Sequence, residues 1–186
     1  MATHNPNRLW EACLKKATSR KTRNKLRFEV KKIQKTKQGL SSTFLISTLC
    51  TVPNFIGVFS QDFLLSLQIL TFPVSFIINL DLSSESGSHW IAFIINKNSL
   101  EVLDSFGLDR KTWKREPLIL FSFLKKFSKS HKIRVLPRYQ SSDSNLCGVY
   151  CVFFLIFRLK YSFFELQKIF STDLNLNSSV LLSYFQ

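Results

Sequence analysis

The chain has 186 residues, 45% of them apolar and 14% aromatic, so it can bury the core of one domain and little more. Its formal net charge of +14 is uneven, because the first forty residues hold twelve Lys and Arg against two carboxylates. No apolar run reaches the roughly 18 uninterrupted residues of a membrane span. Four cysteines without a CxxC pair, and an N-terminus unlike a secretory leader, indicate a reducing compartment rather than a disulfide-bonded secreted protein.

Residues 1–39 are predicted to form a basic, largely helical N-terminal extension. Leu26, Val30 and Ile33 make one sparse apolar stripe in it, and the cationic stretch SRKTRNK precedes that stripe. Such a segment is typical of a solvated arm, a nuclear import signal or a phosphate-binding face, and charge alone does not choose among them. Gly39 and the serines after it mark the expected joint, so we place the globular domain at residues 40–186.

Three strands and a short helix are predicted in the first half of the domain. Residues 55–67 indicate a turn followed by a short helix, with Ser60 as its N-cap. Residues 73–81, rich in β-branched and aromatic side chains, predict a buried strand. Two further apolar runs, residues 90–95 and 100–104, flank a short polar turn. They predict a hairpin through the middle of a sheet.

A basic stretch follows this hairpin, with ten Lys and Arg between residues 110 and 138. Within it, residues 116–130 predict an amphipathic helix with one apolar face, formed by Leu118, Phe121, Leu124 and Phe127. The run KIRVL, residues 132–136, predicts another strand.

The segment QSSDSNLCGVYCVFFLIFRL, residues 140–159, passes from a polar loop directly into an apolar helix. Ser144 or Asn145 is the expected N-cap, which places Cys147 in the first turn. There the helix dipole and the unpaired N–H groups favour a thiolate, so Cys147 is a candidate nucleophile. Gly148 beside it would let another chain segment approach closely. A cysteine taken alone in such a position is more often a buried structural residue before a core helix.

Three polar residues could complete a site around this sulfur. His89 stands at the entrance of the first hairpin strand and Asp104 at the exit of the second, so an antiparallel hairpin brings them together. A carboxylate beside an imidazole fixes its tautomer and stabilises its charged form, as a base that activates a thiol requires. Gln140 could donate to an oxyanion, together with the N–H of Cys147. Each of the three also has an ordinary interpretation when taken alone. His89 fits a histidine at a strand end, Asp104 a turn former, and Gln140 a solvated loop residue.

Together these residues carry a specific family resemblance. The blocks GSHWIAF, VLDSFG and QSSDSNLCGVYC resemble the three signature blocks of the adenovirus-type cysteine proteases, whose wider clan includes the SUMO- and ubiquitin-like-protein proteases. Upstream, VPNFIGVFSQDF resembles the N-terminal block of the same viral enzymes. The resemblance therefore covers residues 48–160, and the seven-residue step from glutamine to cysteine is similar to the adenoviral spacing.

The resemblance implies a fold and a set of roles. We expect an α+β fold in which a central mixed or antiparallel sheet carries the histidine and the aspartate, while a buried helix carries the cysteine at its N-terminus. Cys147 would be the nucleophile, His89 the base and Asp104 the residue that orients it. Gln140 and the Cys147 amide would stabilise the oxyanion.

The resemblance also implies substrates. It suggests an endopeptidase that processes viral capsid or core precursors during virion maturation. The expected location is the host nucleus and the virion, or the nucleus and cytoplasm if an endogenous element encodes the protein. Trp90 and Gly148 are expected at the substrate channel, which would favour glycine at or beside the cleaved bond. No familiar zinc spacing is present, so we expect no metal ion or other cofactor. The basic residues 1–39 and 110–138 are expected to contact DNA.

Three departures from the adenoviral pattern are visible. Asp104 stands where those enzymes usually have glutamate, and the basic extension has no adenoviral counterpart. Between Arg110 and Gln140 there is no cysteine, so activation through a disulfide-linked peptide is not supported, whereas activation by DNA or a noncovalent peptide stays open. These features fit a virus-like mobile element of the Maverick type or a related double-stranded DNA virus.

Two other functions stay open at this stage. One is a deconjugating protease that acts on SUMO or ubiquitin, as in the wider clan. The other is a DNA-binding or virion structural protein that keeps an inactive peptidase scaffold. The complete set of cysteine, histidine and aspartate argues against the latter.

Overall fold

The structure is a computed structural model, and it describes residues 19–36, 38–108 and 117–184. The predictions made for residues 1–18 and 109–116 lie outside this part of the chain. The described elements follow one another in this order: α1 (Arg20–Thr36), α2 (Ser42–Leu49), β1 (Phe55–Phe59), a 3₁₀ helix (Gln61–Leu65), β2 (Val74–Asn79), β3 (Trp90–Asn96), β4 (Ser99–Asp104), α3 (Leu118–Ser128), β5 (Lys132–Val135), α4 (Cys147–Phe157), α5 (Phe163–Leu166) and α6 (Leu174–Ser183).

The strands form one mixed sheet in the order β1-β2-β3-β4-β5. The inner strands β2, β3 and β4 pair antiparallel, whereas β1 and β5 pair parallel to their neighbours at the two edges. The β3–β4 hairpin runs in register from Asn96 opposite Ser99 to Ile91 opposite Asp104. These findings confirm the predicted α+β class.

The two faces of the sheet bury separate clusters of apolar side chains. Because side chains alternate along a strand, Ala92 and Ile94 of β3 face the cluster that contains α4, while Ile91, Phe93 and Ile95 face the cluster that contains α3. Every residue of α4 is buried. The sheet is therefore the middle layer, and the helix that begins at Cys147 lies inside the protein rather than on its surface.

Helix α1 belongs to the core. Leu26, Val30 and Ile33 are 0%, 2% and 5% exposed, and they join the same apolar cluster as α2 and α4. The spacing of three and four residues puts them on one face of the helix. Residues 20–36 therefore pack as part of the globular core, although they lie before the predicted joint near residue 40.

Strand β1 was not anticipated. The prediction for residues 55–59 was a turn, but they pair with β2 through an irregular register between Phe55 and Val58. Gly57 has a φ of +141°, a conformation that side-chain-bearing residues rarely adopt, and its presence hides the strand from pattern analysis. Ser60 is at the N-cap of the following 3₁₀ helix, as predicted, although its side chain makes no capping hydrogen bond.

Helix α3 is rotated from the predicted face, of which Leu124 and Phe127 still pack against the core while Leu118 does not. Its buried side chains are Leu120 and Phe123, while Leu118 is 67% exposed. The Leu120 N–H donates to Oε1 of Gln61 at 3.3 Å, so contact with the 3₁₀ helix sets the rotation of α3. Among the described residues, no helix has the length and apolarity to cross a membrane.

Candidate active site

The nucleophile candidate begins a buried helix. Cys147 is the first residue of α4, and the N-cap position belongs to Leu146, which offers no side-chain hydrogen bond. The predicted caps, Ser144 and Asn145, are therefore wrong. Because no side chain caps this end, the N–H groups of the first turn stay available for a negative charge at Cys147 or on a substrate.

His89 and Asp104 meet as the hairpin predicts. Nε2 of His89 donates to Oδ1 of Asp104 at 2.7 Å, and both side chains are buried. The carboxylate is itself held by the backbone, since Oδ1 accepts the N–H of Phe106 at 2.8 Å and Oδ2 accepts that of Leu108 at 3.0 Å. The Phe106 ring stacks on the imidazole with a centroid separation of 4.6 Å. The imidazole therefore has one fixed orientation.

The electrostatics couple His89 to Cys147. Burial opposes charge on the imidazole, but the hydrogen bond to Asp104 and the interaction with the Cys147 sulfur outweigh it and raise the pKa of His89. Burial likewise opposes the thiolate, but His89, with the backbone N–H groups of Trp90 and Gly148, lowers the pKa of Cys147. Nδ1 of His89 is buried and has no hydrogen-bond partner among the described residues. Since Nε2 is engaged by Asp104, Nδ1 is the ring nitrogen available to the sulfur.

The second buried cysteine has the opposite character. Burial raises the pKa of Cys151 well above its ordinary value, and the charges of Cys147 and Asp104 raise it further. A thiol in that environment stays protonated and is a poor nucleophile. The environment therefore distinguishes the two cysteines of α4.

Gln140 is completely buried, and hydrogen bonds hold both ends of its amide. Oε1 accepts the hydroxyl of Ser105 at 2.6 Å, while Nε2 donates to the carbonyl oxygen of Ser144 at 2.5 Å. The Ser105 carbonyl accepts the N–H of Gln140 at 2.9 Å. Gln140 therefore sits in a defined position at the cleft that Cys147 also lines.

Trp90 and Gly148 pack against each other beside the nucleophile. Nε1 of Trp90 donates to the carbonyl oxygen of Leu40 at 2.9 Å. A methyl group added at Gly148 would lie 3.2 Å from Cδ1 of Trp90 and 3.1 Å from Cβ of Leu40. Trp90 lines the cleft, whereas Gly148 lies beneath Trp90 and Leu40 and does not. The close approach predicted at Gly148 is thus made by two side chains.

These residues surround one open cleft of about 740 Å³. His89, Trp90, Gln140 and Cys147 line it together, and so do residues 39–42, part of the loop between β2 and β3, and Phe106. The structure thus brings together the sequence-predicted His89, Asp104, Gln140, Trp90 and Cys147.

Sequence reasoning missed two residues of this site, Leu40 and Ser105. Leu40 lies in the segment interpreted as a joint, and no local pattern marks its contact with Trp90. Ser105 directly follows Asp104 in the block VLDSFG, so its position beside the acid was visible in the sequence, but its distant partner Gln140 was not. In the described part of the chain, no cluster of three or more His, Cys, Asp or Glu is placed to hold a metal ion.

Comparison with known proteins identifies the family of the chain. A family model described as adenovirus endoprotease matches residues 55–180, which is more than half of the chain. The chain belongs to the adenovirus endoprotease family. The predicted resemblance is confirmed, and so is the assignment to the cysteine proteases. No curated protein sequence matches the chain.

Two solved structures are similar to this member of the adenovirus endoprotease family. The ASFV pS273R protease is 23% identical with a TM-score of 0.36, over 60% of this chain and 42% of that one. The SUMO protease Ulp1, with its catalytic cysteine oxidised to a sulfenic acid, is 14% identical with a TM-score of 0.44, over 90% of this chain and 95% of that one. The chain thus spans less than half the length of the ASFV protease.

Proposed function

We propose that this protein is a cysteine endopeptidase in which Cys147 is the nucleophile, His89 the acid and base, and Asp104 the residue that orients His89. The observation that carries the proposal is the buried 2.7 Å hydrogen bond between His89 and Asp104, with Cys147 interacting with the same imidazole at the start of α4. The lowered pKa of Cys147 and the raised pKa of His89 favour a thiolate beside an imidazolium.

Peptide cleavage follows from this pair in two steps. The Cys147 thiolate attacks the scissile carbonyl carbon, a C–S bond forms, and the carbonyl electron pair moves to oxygen. As the C–N bond breaks, His89 gives its proton to the leaving amine, which leaves a thioester on Cys147. A water molecule then attacks the thioester while His89 takes its proton. Breakage of the C–S bond releases the acid product and restores the thiolate.

The oxyanion of both steps needs donors that are already in place. The N–H of Cys147 lies in the uncapped first turn of α4, and Nε2 of Gln140 is held at the same cleft. Preorganised donors in a buried site stabilise developing charge because they need no rearrangement when the charge forms. We assign the oxyanion site to these two groups.

Trp90 is the proposed specificity wall. Its indole is fixed by the hydrogen bond to the Leu40 carbonyl and by packing on Gly148, directly beside the base and the nucleophile. A rigid aromatic wall narrows the approach to the sulfur, so a substrate without a side chain next to the cleaved bond fits best. We therefore propose cleavage at glycine-containing sites.

The proposed substrates are viral capsid or core precursor proteins, cleaved during virion maturation in the host nucleus and the virion. Family membership supports this assignment. A Maverick-type element or a related double-stranded DNA virus is the proposed source. DNA is a proposed partner, because exposed cations lie on α1 and α3. The chemistry above uses side chains and water, without a metal ion.

Peptide-library cleavage profiling with the purified protein tests the proposal, with the Cys147→Ala variant as control. We expect the wild type to cut peptides with glycine at or beside the bond, and the variant to cut none. Efficient cleavage after large residues would refute the glycine preference. Labelling by electrophilic SUMO or ubiquitin probes, without cleavage of library peptides, would instead indicate a deconjugating protease.

A further inference from the structure

The Gln140 amide has only one orientation compatible with its neighbours. The Ser144 carbonyl oxygen, 2.5 Å from Nε2, can only accept a hydrogen bond, so the NH₂ end of the amide must face it. Oε1 then faces Ser105 Oγ at 2.6 Å, and the Ser105 hydroxyl must donate. A flipped amide would set two acceptor oxygens against each other at Ser144.

Ser105 ties Gln140 to the strand end that carries the acid. Ser105 directly follows Asp104, is 1% exposed, and its carbonyl oxygen accepts the N–H groups of Tyr139 and Gln140, both at 2.9 Å. One residue therefore holds the backbone of Gln140 through its carbonyl and the side chain of Gln140 through its hydroxyl. Residues 105 and 140 come from distant parts of the chain, so this contact joins the acid's strand to the loop before the nucleophile.

We propose that Ser105 is a positioning residue for the oxyanion site, an inference that rests on the proposed function of Gln140. Ser105 does not line the cleft in the described structure. It acts through Gln140: by donating to Oε1 it fixes the amide so that one N–H of Nε2 donates to the Ser144 carbonyl oxygen. The other N–H makes only a longer contact, 3.3 Å, with the Ser144 hydroxyl, and it is the one that donates to the oxyanion when that charge forms. Without the hydroxyl, Oε1 is a buried acceptor lacking a partner, and the amide turns away to recover one.

A double-mutant cycle between Ser105→Ala and Gln140→Ala tests this coupling in the full-length protein. The reporter is acylation by 4-nitrophenyl acetate, in which the Cys147 C–S bond forms and the ester C–O bond breaks with release of 4-nitrophenolate. This reaction passes through an oxyanion but needs no peptide specificity, so it does not depend on the proposed substrates. Peptide kcat and KM are measured in parallel.

We expect Gln140→Ala to slow acylation by about tenfold to a thousandfold and Ser105→Ala by about tenfold to a hundredfold, on the scale of removing one oxyanion donor. The double variant should be no slower than Gln140→Ala, because Ser105 acts only through that amide. Peptide kcat should fall in Ser105→Ala while KM changes little.

Two controls separate positioning from general damage. Alkylation of Cys147 by iodoacetamide needs the thiolate but forms no oxyanion, so its rate should be unchanged in Ser105→Ala. Ser75→Ala, which removes a hydroxyl from a buried strand serine outside the cleft, should leave acylation unchanged.

Each outcome bears on a different proposal. Rate reductions that multiply in the double variant, or slower alkylation in Ser105→Ala, would overturn the role of Ser105 while leaving the peptidase proposal intact. A wild type that cleaves no peptide but shows the expected cycle would overturn the peptidase proposal alone. A wild type that is alkylated at Cys147 but never acylated would overturn both.

Discussion

Nε2 of His89 and Oδ1 of Asp104 lie 2.7 Å apart although the two residues are fifteen positions apart in the chain. The β3–β4 register produces this contact, because it pairs Ile91 with Asp104 and so leaves His89 just before the strand at the level of the carboxylate. Two-residue periodicity and hydrogen bonding along the hairpin thus determine the geometry of the pair. A slip by one residue would send the side chains to opposite faces.

Asp104→Asn tests the contribution of the carboxylate charge. We expect kcat to fall by on the order of a hundredfold to ten-thousandfold with little change in KM, because the charge acts chiefly when His89 is protonated. Steady-state kinetics on a cleaved peptide measure both constants. Near-normal turnover in the variant would place the orienting residue elsewhere.

The same substitution should shift the pH dependence of Cys147. In the wild type, the lowered pKa keeps the thiolate present at pH values below the ordinary thiol range, and it is lost only as pH falls through that lowered value. Loss of the Asp104 charge lowers the pKa of His89, so His89 becomes neutral at a lower pH than in the wild type. A neutral imidazole stabilises the thiolate less, and the pKa of Cys147 therefore rises. Site-resolved mass spectrometry of iodoacetamide alkylation across pH should show the Cys147 midpoint move upward. A midpoint that does not move would contradict the coupling.

Cys147→Ala and Cys151→Ala form a matched pair on α4. We expect the first to abolish cleavage with the fold intact, since alanine is a good helix former and the change removes the only proposed nucleophile. The second should keep activity and lower the free energy of unfolding by about 1 kcal/mol through a small cavity. Peptide cleavage and chemical unfolding of both variants measure this difference. Loss of activity in Cys151→Ala without unfolding would contradict the assignment.

Two substitutions at Trp90 separate the contribution of its ring from that of its N–H group. Trp90→Phe keeps an aromatic wall but cannot donate to the Leu40 carbonyl, whereas Trp90→Ala removes the wall altogether. We expect Trp90→Ala to accept larger residues beside the cleaved bond and Trp90→Phe to retain most of the glycine preference. Library profiling of both variants provides the measurement. An unchanged profile in Trp90→Ala would show that another residue selects glycine.

The proposed catalytic residues could be predicted from the sequence better than the contacts that hold them in place. Strand β2 was visible from its β-branched and aromatic side chains, and β3 and β4 from two apolar runs around a polar turn. His89, Asp104 and Cys147 stand at ends of elements that these local patterns reveal. By contrast, β1 was hidden by Gly57. The contacts of Leu40 with Trp90 and of Ser105 with Gln140 join residues 50 and 35 positions apart, so only the tertiary fold brings them together.

A partly buried ion pair, between the buried Glu101 and the half-buried Arg158, links the strand of Asp104 to the helix of Cys147. Nε of Arg158, just after α4, donates to Oε2 of Glu101 at 2.7 Å, and Nη2 donates to Oε1 at 3.1 Å. Glu101→Gln leaves Arg158, and Arg134 at 3.6 Å, with a neutral partner that can still accept a hydrogen bond, so we expect the free energy of unfolding to fall by about 1–3 kcal/mol. Chemical unfolding compares it with Lys97→Gln, which changes an exposed turn residue and should have almost no effect. If Glu101→Gln and Lys97→Gln have equal free energies of unfolding, the ion pair makes no net contribution to stability.

Helix α1 has an exposed basic face opposite its buried apolar face. Lys21, Lys25 and Lys32 are exposed, and at 3.6 residues per turn they lie on the other side of the helix from the buried stripe of Leu26 and Val30. Because the stripe is part of the core, deleting the helix would confuse unfolding with a loss of binding. Charge substitutions on the exposed face leave this stripe in place, although they remove the contact of the Lys25 ammonium with the core, where it lies 5.5 Å from the centroid of the Phe44 ring.

We expect the full-length protein to bind duplex DNA through this face, with an affinity that falls steeply with salt and varies little with base sequence. Replacing Lys21, Lys25 and Lys32 by Gln should weaken binding and flatten the plot of log affinity against log salt by about 0.9 for each phosphate that the helix no longer neutralises. Fluorescence anisotropy at several salt concentrations measures both. The control variant replaces three exposed lysines outside α1 by Gln, namely Lys97, Lys160 and Lys168. Its net charge changes by the same amount. If both triple variants lose equal affinity, net charge rather than α1 accounts for binding, and an affinity independent of salt would remove α1 from this role.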